Sequence, residues 1–141
     1  MKLFLDSSYL VYLRYALRDD VAEFVTALLK KAVQNNISLL VNMIVLDETI
    51  WILMKKYKVQ LGEILELTDR LTPLLEIVPL DYSDYDVMKR TMINNGLNPS
   101  DSLHVASMNK TKTKHIASED KEFDKIHSIK RVWLDTPHKI I

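Results

Sequence analysis

Short apolar runs, each set apart by a longer helical pattern, constrain this chain more than any other feature. The runs are Lys2 to Leu5, Ile37 to Val41, Leu75 to Leu80 and His115 to Ser118. Each has strand length and ends at polar or turn-forming residues. A helix of roughly Tyr9 to Leu17 follows the first run, with Ser7 or Ser8 as its cap. Asp19 and Asp20 open another helix, in which Val21, Phe24, Val25, Leu28 and Leu29 form one apolar stripe ending near Asn35 and Asn36. Met43 to Tyr57 and Gln60 to Leu71 follow the second run, and Pro73 ends the latter. Asp81 to Asn94 follows the third and is closed by Asn95 and Gly96. A helix from Pro99 to about Lys112 leads into the fourth run. A helical turn over Lys121 to Ile126 and an edge strand over Arg131 to Leu134 complete the order. Strands alternating with helices predict an α/β fold: a three-layer α/β/α sandwich around a mainly parallel sheet of four to five strands. With 2 glycines and 4 prolines in 141 residues, turn chemistry is too sparse for an all-β fold or a long linker. Residues 1–141 therefore read as one domain.

Composition narrows the function. The absence of cysteine removes disulfides and thiolate metal sites, and is compatible with a reducing cytoplasm. A formal net charge of zero gives no bulk basic field for nucleic acid. The lysine-rich stretches 55-KKYK-58 and 110-KTKTKH-115 read as solvated surface. No apolar run reaches the length of about 18 residues that a membrane span needs. The opening MKLFLDSSYLVYL is interrupted by Asp6 and lacks a small-residue cleavage pattern, so it does not read as a signal peptide.

In an open parallel sheet, sites form beyond the carboxyl ends of the strands. Asp6 ends the first strand, and Asp120 lies two residues past the fourth. Asp101 opens the helix that leads into the fourth strand, and Glu48 lies in the first turns after the second. Taken singly, most have ordinary uses. Asp6 and Asp120 suit turns or caps. Asp101, behind Asn98 and Pro99, favours a helix dipole by about 0.3–1 kcal/mol. Glu48 is harder to explain: Val45, Leu46, Ile50, Trp51 and Ile52 flank it, and burying an unpaired carboxylate costs several kcal/mol. Asp47 competes with it from about 100° around the helix, and the apolar pattern does not choose between them. Taken together, converging carboxylates repel unless something positive intervenes. Oxygen-only donors suit hard divalent cations such as Mg²⁺ or Mn²⁺. Such ions promote in-line displacement at phosphorus. Four acids without thiols point to phosphodiester hydrolysis.

The stretches LFLDSS, VLDETIWIL, PSDSLHVASM and IASEDKEFDKI, in this order and at these intervals, resemble a PIN-domain nuclease. Size and layout are similar to the VapC-type toxin ribonucleases, over almost the whole chain. The resemblance implies an endoribonuclease that needs Mg²⁺ or Mn²⁺, forms a homodimer and is silenced by an antitoxin protein. It implies Asp6, Glu48, Asp101 and Asp120 as metal ligands and catalytic acids. Ser118 matches the hydroxyl of a Ser/Thr-x-Asp motif, and Ser7 follows the first acid as such a residue often does in that family. Glu122 and Asp124 stand where the family sometimes has a further acid, and read as supporting or surface residues. Glu119 departs from the family, which often has a basic or neutral residue there. His104, one helical turn past Asp101, reads as a partly buried helix histidine, with a place near the metals as the alternative. Trp51 and Met54 read as core or subunit interface, and Trp133 as packing beneath the last strand. Tyr9 and Tyr12 read as packing residues, either of which could instead stack on a base. Two other readings stand beside this one: a catalytically silent module that binds RNA or protein, and a DNA 5′ nuclease. The compact length, without a helical arch, disfavours the second.

Overall fold

The computed structural model describes residues 1–140. Five strands form one sheet: β1 (Lys2–Leu5), β2 (Ser38–Val41), β3 (Leu75–Ile77), β4 (His115–Ala117) and β5 (Lys130–Val132). Their spatial order is β3-β2-β1-β4-β5, and every pairing is parallel. Leu3 pairs with Leu39 on one side and with His115 on the other, which puts β1 at the centre. Leu3, Phe4 and Leu5 are all buried, as expected of a strand covered on both faces.

Six α-helices are described: α1 (Ser7–Arg14), α2 (Asp19–Gln34), α3 (Met43–Lys55), α4 (Leu61–Leu71), α5 (Asp84–Asn95) and α6 (Pro99–Lys110). From β1 to β3 the chain steps outward on one side of β1; at β4 it returns to the other side. Right-handed crossovers place the helices of the two halves on opposite faces. The reversal leaves a crevice between the carboxyl ends of β1 and β4, where open parallel sheets hold their ligands.

The main differences from the expected boundaries arise at caps. Neither Ser7 nor Ser8 caps α1. Asp6 does, its side chain accepting from the Ser7 N–H, so the helix starts at Ser7 and ends at Arg14. Strand β3 stops at Ile77: the Val78 N–H still bonds the Val41 carbonyl, and Pro79 then has no N–H to continue the ladder. Helix α5 starts at Asp84 because Asp81 holds a turn ahead of it, accepting from the N–H and hydroxyl of Ser83. Gly96 closes α5 at φ 70°, the left-handed conformation that glycine adopts without penalty. Trp51 is not core. It is 60% exposed, with the Lys55 ammonium 5.1 Å from its ring centre. Trp133 is buried against Phe24 and Tyr12. Among the described residues no helix is long and apolar enough to cross a membrane.

Candidate active site

Asp6 leaves the central strand directly into the crevice. Its backbone N–H still bonds the Ala117 carbonyl at 3.1 Å, which ties the end of β1 to the end of β4. Its carboxylate is buried and accepts from the Ser7 N–H (2.8 Å), the Ser118 hydroxyl (2.5 Å) and the Ser8 hydroxyl (3.4 Å). Burial pushes its pKa up. His104, Ser118 and Ser7 pull it back, and Glu48 adds to the rise.

Ser118 joins two acids. Its hydroxyl donates to Asp6 and accepts the Asp120 N–H at 3.0 Å. Asp120, half-buried, caps the 3-10 turn Lys121–Lys125 by accepting from the Glu122 N–H. Beneath this loop lies Arg131, buried in the middle of β5. Its guanidinium reaches the Ser118 carbonyl at 3.2 Å and binds Asp124 and Asp135 through paired contacts of 3.0–3.1 Å.

Asp101 enters from α6. Asn98 caps that helix by accepting the Asp101 N–H, and Pro99 supplies the first turn. The Asp101 carboxyl is buried. Burial first, then the charges of Asp6, Asp120 and Glu48, push its pKa up to about 7 against the pull of His104. Asp101 thus stands near enough to Asp6, Asp120 and Glu48 for each to act on it.

Glu48 comes from α3, and the structure chooses between it and its neighbour. Asp47 is exposed, whereas Glu48 is half-buried and meets His104 Nε2 at 3.1 Å. His104 is wholly buried and lies 3.7 Å from Asp6. Its ring packs against Phe4, and its other nitrogen meets Asn42. Asp6, Glu48 and His104 each present one donor atom within 4.8 Å of the others, close enough to hold one cation.

The side chains of Glu122 and Asp124 are engaged elsewhere: Glu122 is exposed and paired with Lys125, and Asp124 with Arg131. Ser7 serves Asp6 through its N–H, and Ser8 adds a hydroxyl. Glu119 is held by the Tyr12 hydroxyl at 2.6 Å, and Tyr9 is core, its hydroxyl bonded to the Val25 carbonyl. Sequence reasoning left His104 between two roles that the fold combines. It passed over Asn42 and Arg131, although a buried-strand Asn directly ahead of a helix is a capping signal.

A PIN domain family model matches residues 3–128. Among curated proteins, none matches the chain in sequence. Solved structures that share the fold include the following three. VapBC2 from Rickettsia felis, bound to a DNA fragment from its promoter, is 16% identical with a TM-score of 0.67, over 94% of this chain and 98% of that one. VapC20 from Mycobacterium tuberculosis, a sarcin-ricin loop cleaving toxin, is 14% identical with a TM-score of 0.67, over 86% and 92%. VapBC-1 from nontypeable Haemophilus influenzae is 18% identical with a TM-score of 0.64, over 94% and 97%. With the family pattern running through nearly the whole sheet and an acidic cluster at its switch point, this chain belongs to the PIN domain family.

Proposed function

We propose that the chain is an endoribonuclease dependent on Mg²⁺ or Mn²⁺. On this reading it is the toxin of a toxin–antitoxin pair, a cytoplasmic homodimer silenced by an antitoxin protein. The observation that carries the reading is the gathering of carboxylates from four separate segments around Asp101, whose burial, reinforced by the charges of Asp6, Asp120 and Glu48, pushes its pKa up to about 7. The basic group set against these acids is His104, 3.1 Å from Glu48 and 3.7 Å from Asp6, one ring facing four carboxylates. All four acids are oxygen donors and the chain has no thiol, a set that fits a hard divalent cation. Asp6, Asp101 and Asp120 would hold the ion directly or through water. Glu48 would be a further ligand, or would orient the water that attacks phosphorus. When bound, the cation supplies neutralising charge and Lewis acidity for in-line displacement. Ser118 keeps Asp6 and the Asp120 loop together, so the ligands remain aligned. The neighbours that are VapBC complexes support the antitoxin, and the sarcin-ricin loop cleaving toxin supports an RNA target.

The test uses RNA and DNA oligonucleotides of matched sequence, with Mn²⁺ and with a chelator. Wild type is expected to cut RNA only with the metal. Asp6→Asn and Asp101→Asn are expected to fall to the chelator background while keeping the wild-type circular dichroism spectrum. Equal cleavage by both variants and wild type would remove the catalytic assignment. Metal-dependent RNA binding without cleavage would leave the silent binding module.

A further inference from the structure

We propose that His104 is a positioning residue, which Asn42 holds with its ring proton on Nε2 so that it aims Glu48 at the cation cluster instead of ligating the ion. The proposal rests on the reading of that cluster as a cation site.

The argument starts one residue beyond β2. Asn42 is wholly buried and caps α3, its Oδ1 accepting the Val45 N–H at 3.1 Å. A backbone N–H can only donate, so the amide oxygen must face Val45 and the amide nitrogen must face away. There Nδ2 lies 3.0 Å from the Ser107 hydroxyl and 3.1 Å from His104 Nδ1. An amide nitrogen also only donates, so Nδ1 is the acceptor and the ring proton belongs on Nε2. That proton points at Glu48 Oε1, 3.1 Å away, with Asp6 Oδ1 at 3.7 Å.

Both ring nitrogens are therefore engaged. The lone pair of Nδ1 takes the Asn42 amide, and Nε2 carries its hydrogen. An imidazole ligates a metal through a bare nitrogen, and this one presents none to the cluster. Spacing alone would admit His104 as a ligand, but the polarity of its hydrogen bonds opposes it. Turning the ring over would set a carbon against the Asn42 amide. The ring is wholly buried against Phe4, which leaves it little room to turn. Asp101, His104 and Ser107 recur every three residues along α6, so one face of that helix carries an acid, the ring and the hydroxyl that shares the Asn42 amide. Carboxylates of metal sites commonly depend on such outer partners for their orientation.

Two measurements test this on the full chain. In wild type, pulsed EPR of bound Mn²⁺ is expected to show no coupling to a directly coordinated ¹⁴N nucleus. A long-range ¹H–¹⁵N spectrum of the metal-free protein is expected to show the Nε2–H tautomer. Neither needs a variant that folds. In variants, His104→Gln places an amide N–H near the lost Nε2–H and is expected to bind Mn²⁺ nearly as well as wild type. His104→Ala is expected to bind it about 10–100-fold more weakly. Direct ¹⁴N coupling, an Nδ1–H tautomer, or a folded His104→Gln as weak as His104→Ala would overturn the inference alone. A wild type that takes up no Mn²⁺ would overturn the cation reading and this inference with it.

Discussion

At the scale of single residues, the crevice separates polar groups that have partners from those that do not. Asp6, Ser118, Asn42 and His104 are buried, and each makes hydrogen bonds that suit its chemistry. The hydroxyl of Ser102, wholly buried one residue beyond Asp101, has no partner among the described residues. A buried hydroxyl left unpaired costs about 1–3 kcal/mol. Ser102→Ala is therefore expected to match wild type in stability or exceed it by about 1 kcal/mol, as read by urea unfolding. The same change at Ser118 has the opposite sign. It strips the Asp6 carboxylate of its shortest bond and leaves the Asp120 N–H without its acceptor, so Ser118→Ala is expected to lose stability and Mn²⁺ affinity together. A tolerant Ser118 and a sensitive Ser102 would reverse this reading.

At the scale of elements, the loop after β4 depends on β5. Arg131 is 3% exposed and links the Ser118 carbonyl to Asp124 and Asp135. Asp124 and Asp135 are about half exposed and can turn to water, but the Ser118 carbonyl would be left unpaired in the interior, which costs about 1–3 kcal/mol. Arg131→Met is expected to lose much of that, and to weaken Mn²⁺ binding because the loop that carries Asp120 loses its support. The unfolding midpoint and a Mn²⁺ titration check the two effects separately. The central strands are legible in the sequence because an apolar run gives way to helical spacing, as between Leu5 and Tyr9 or between Val41 and Val45. The ends are less so, because side-chain caps such as Asp6 and Asp81 set them. The acids could be singled out because each stands at a strand end or in the first turns of a helix. Their partners could not. His104 is 56 residues from Glu48 and 62 from Asn42, and no local period encodes such pairs. Arg131 likewise reads as a strand residue until the fold brings the Ser118 carbonyl to it.

At the scale of the whole molecule, a net charge of zero conceals a steep local imbalance. With no cation bound, burial and the neighbouring acids push the Asp101 pKa up to about 7 in the folded chain, from an ordinary value of 3.8 that the unfolded chain regains. Between those values the folded state holds a proton that the unfolded chain has released. Stability then falls as pH rises, by at most about 1.4 kcal/mol per pH unit from this group. Asp6 is shifted in the same direction and adds to the slope. Thermal unfolding in a chelator is therefore expected to give a lower melting temperature at about pH 7.5 than at about pH 5. Millimolar Mn²⁺ is expected to recover the difference at the higher pH, since an ion that binds only the folded state raises its stability with concentration. Asp101→Asn separates this account from a general effect of pH. It removes the titrating charge, so its chelated form is expected to melt above wild type at pH 7.5 and to respond less to Mn²⁺. A variant that loses the metal response yet gains metal-free stability is what a site that sacrifices stability for ion binding produces. A variant less stable than wild type at that pH would mean that the Asp101 carboxylate is satisfied by the protein itself, and that the crevice does not depend on a cation for its charge balance.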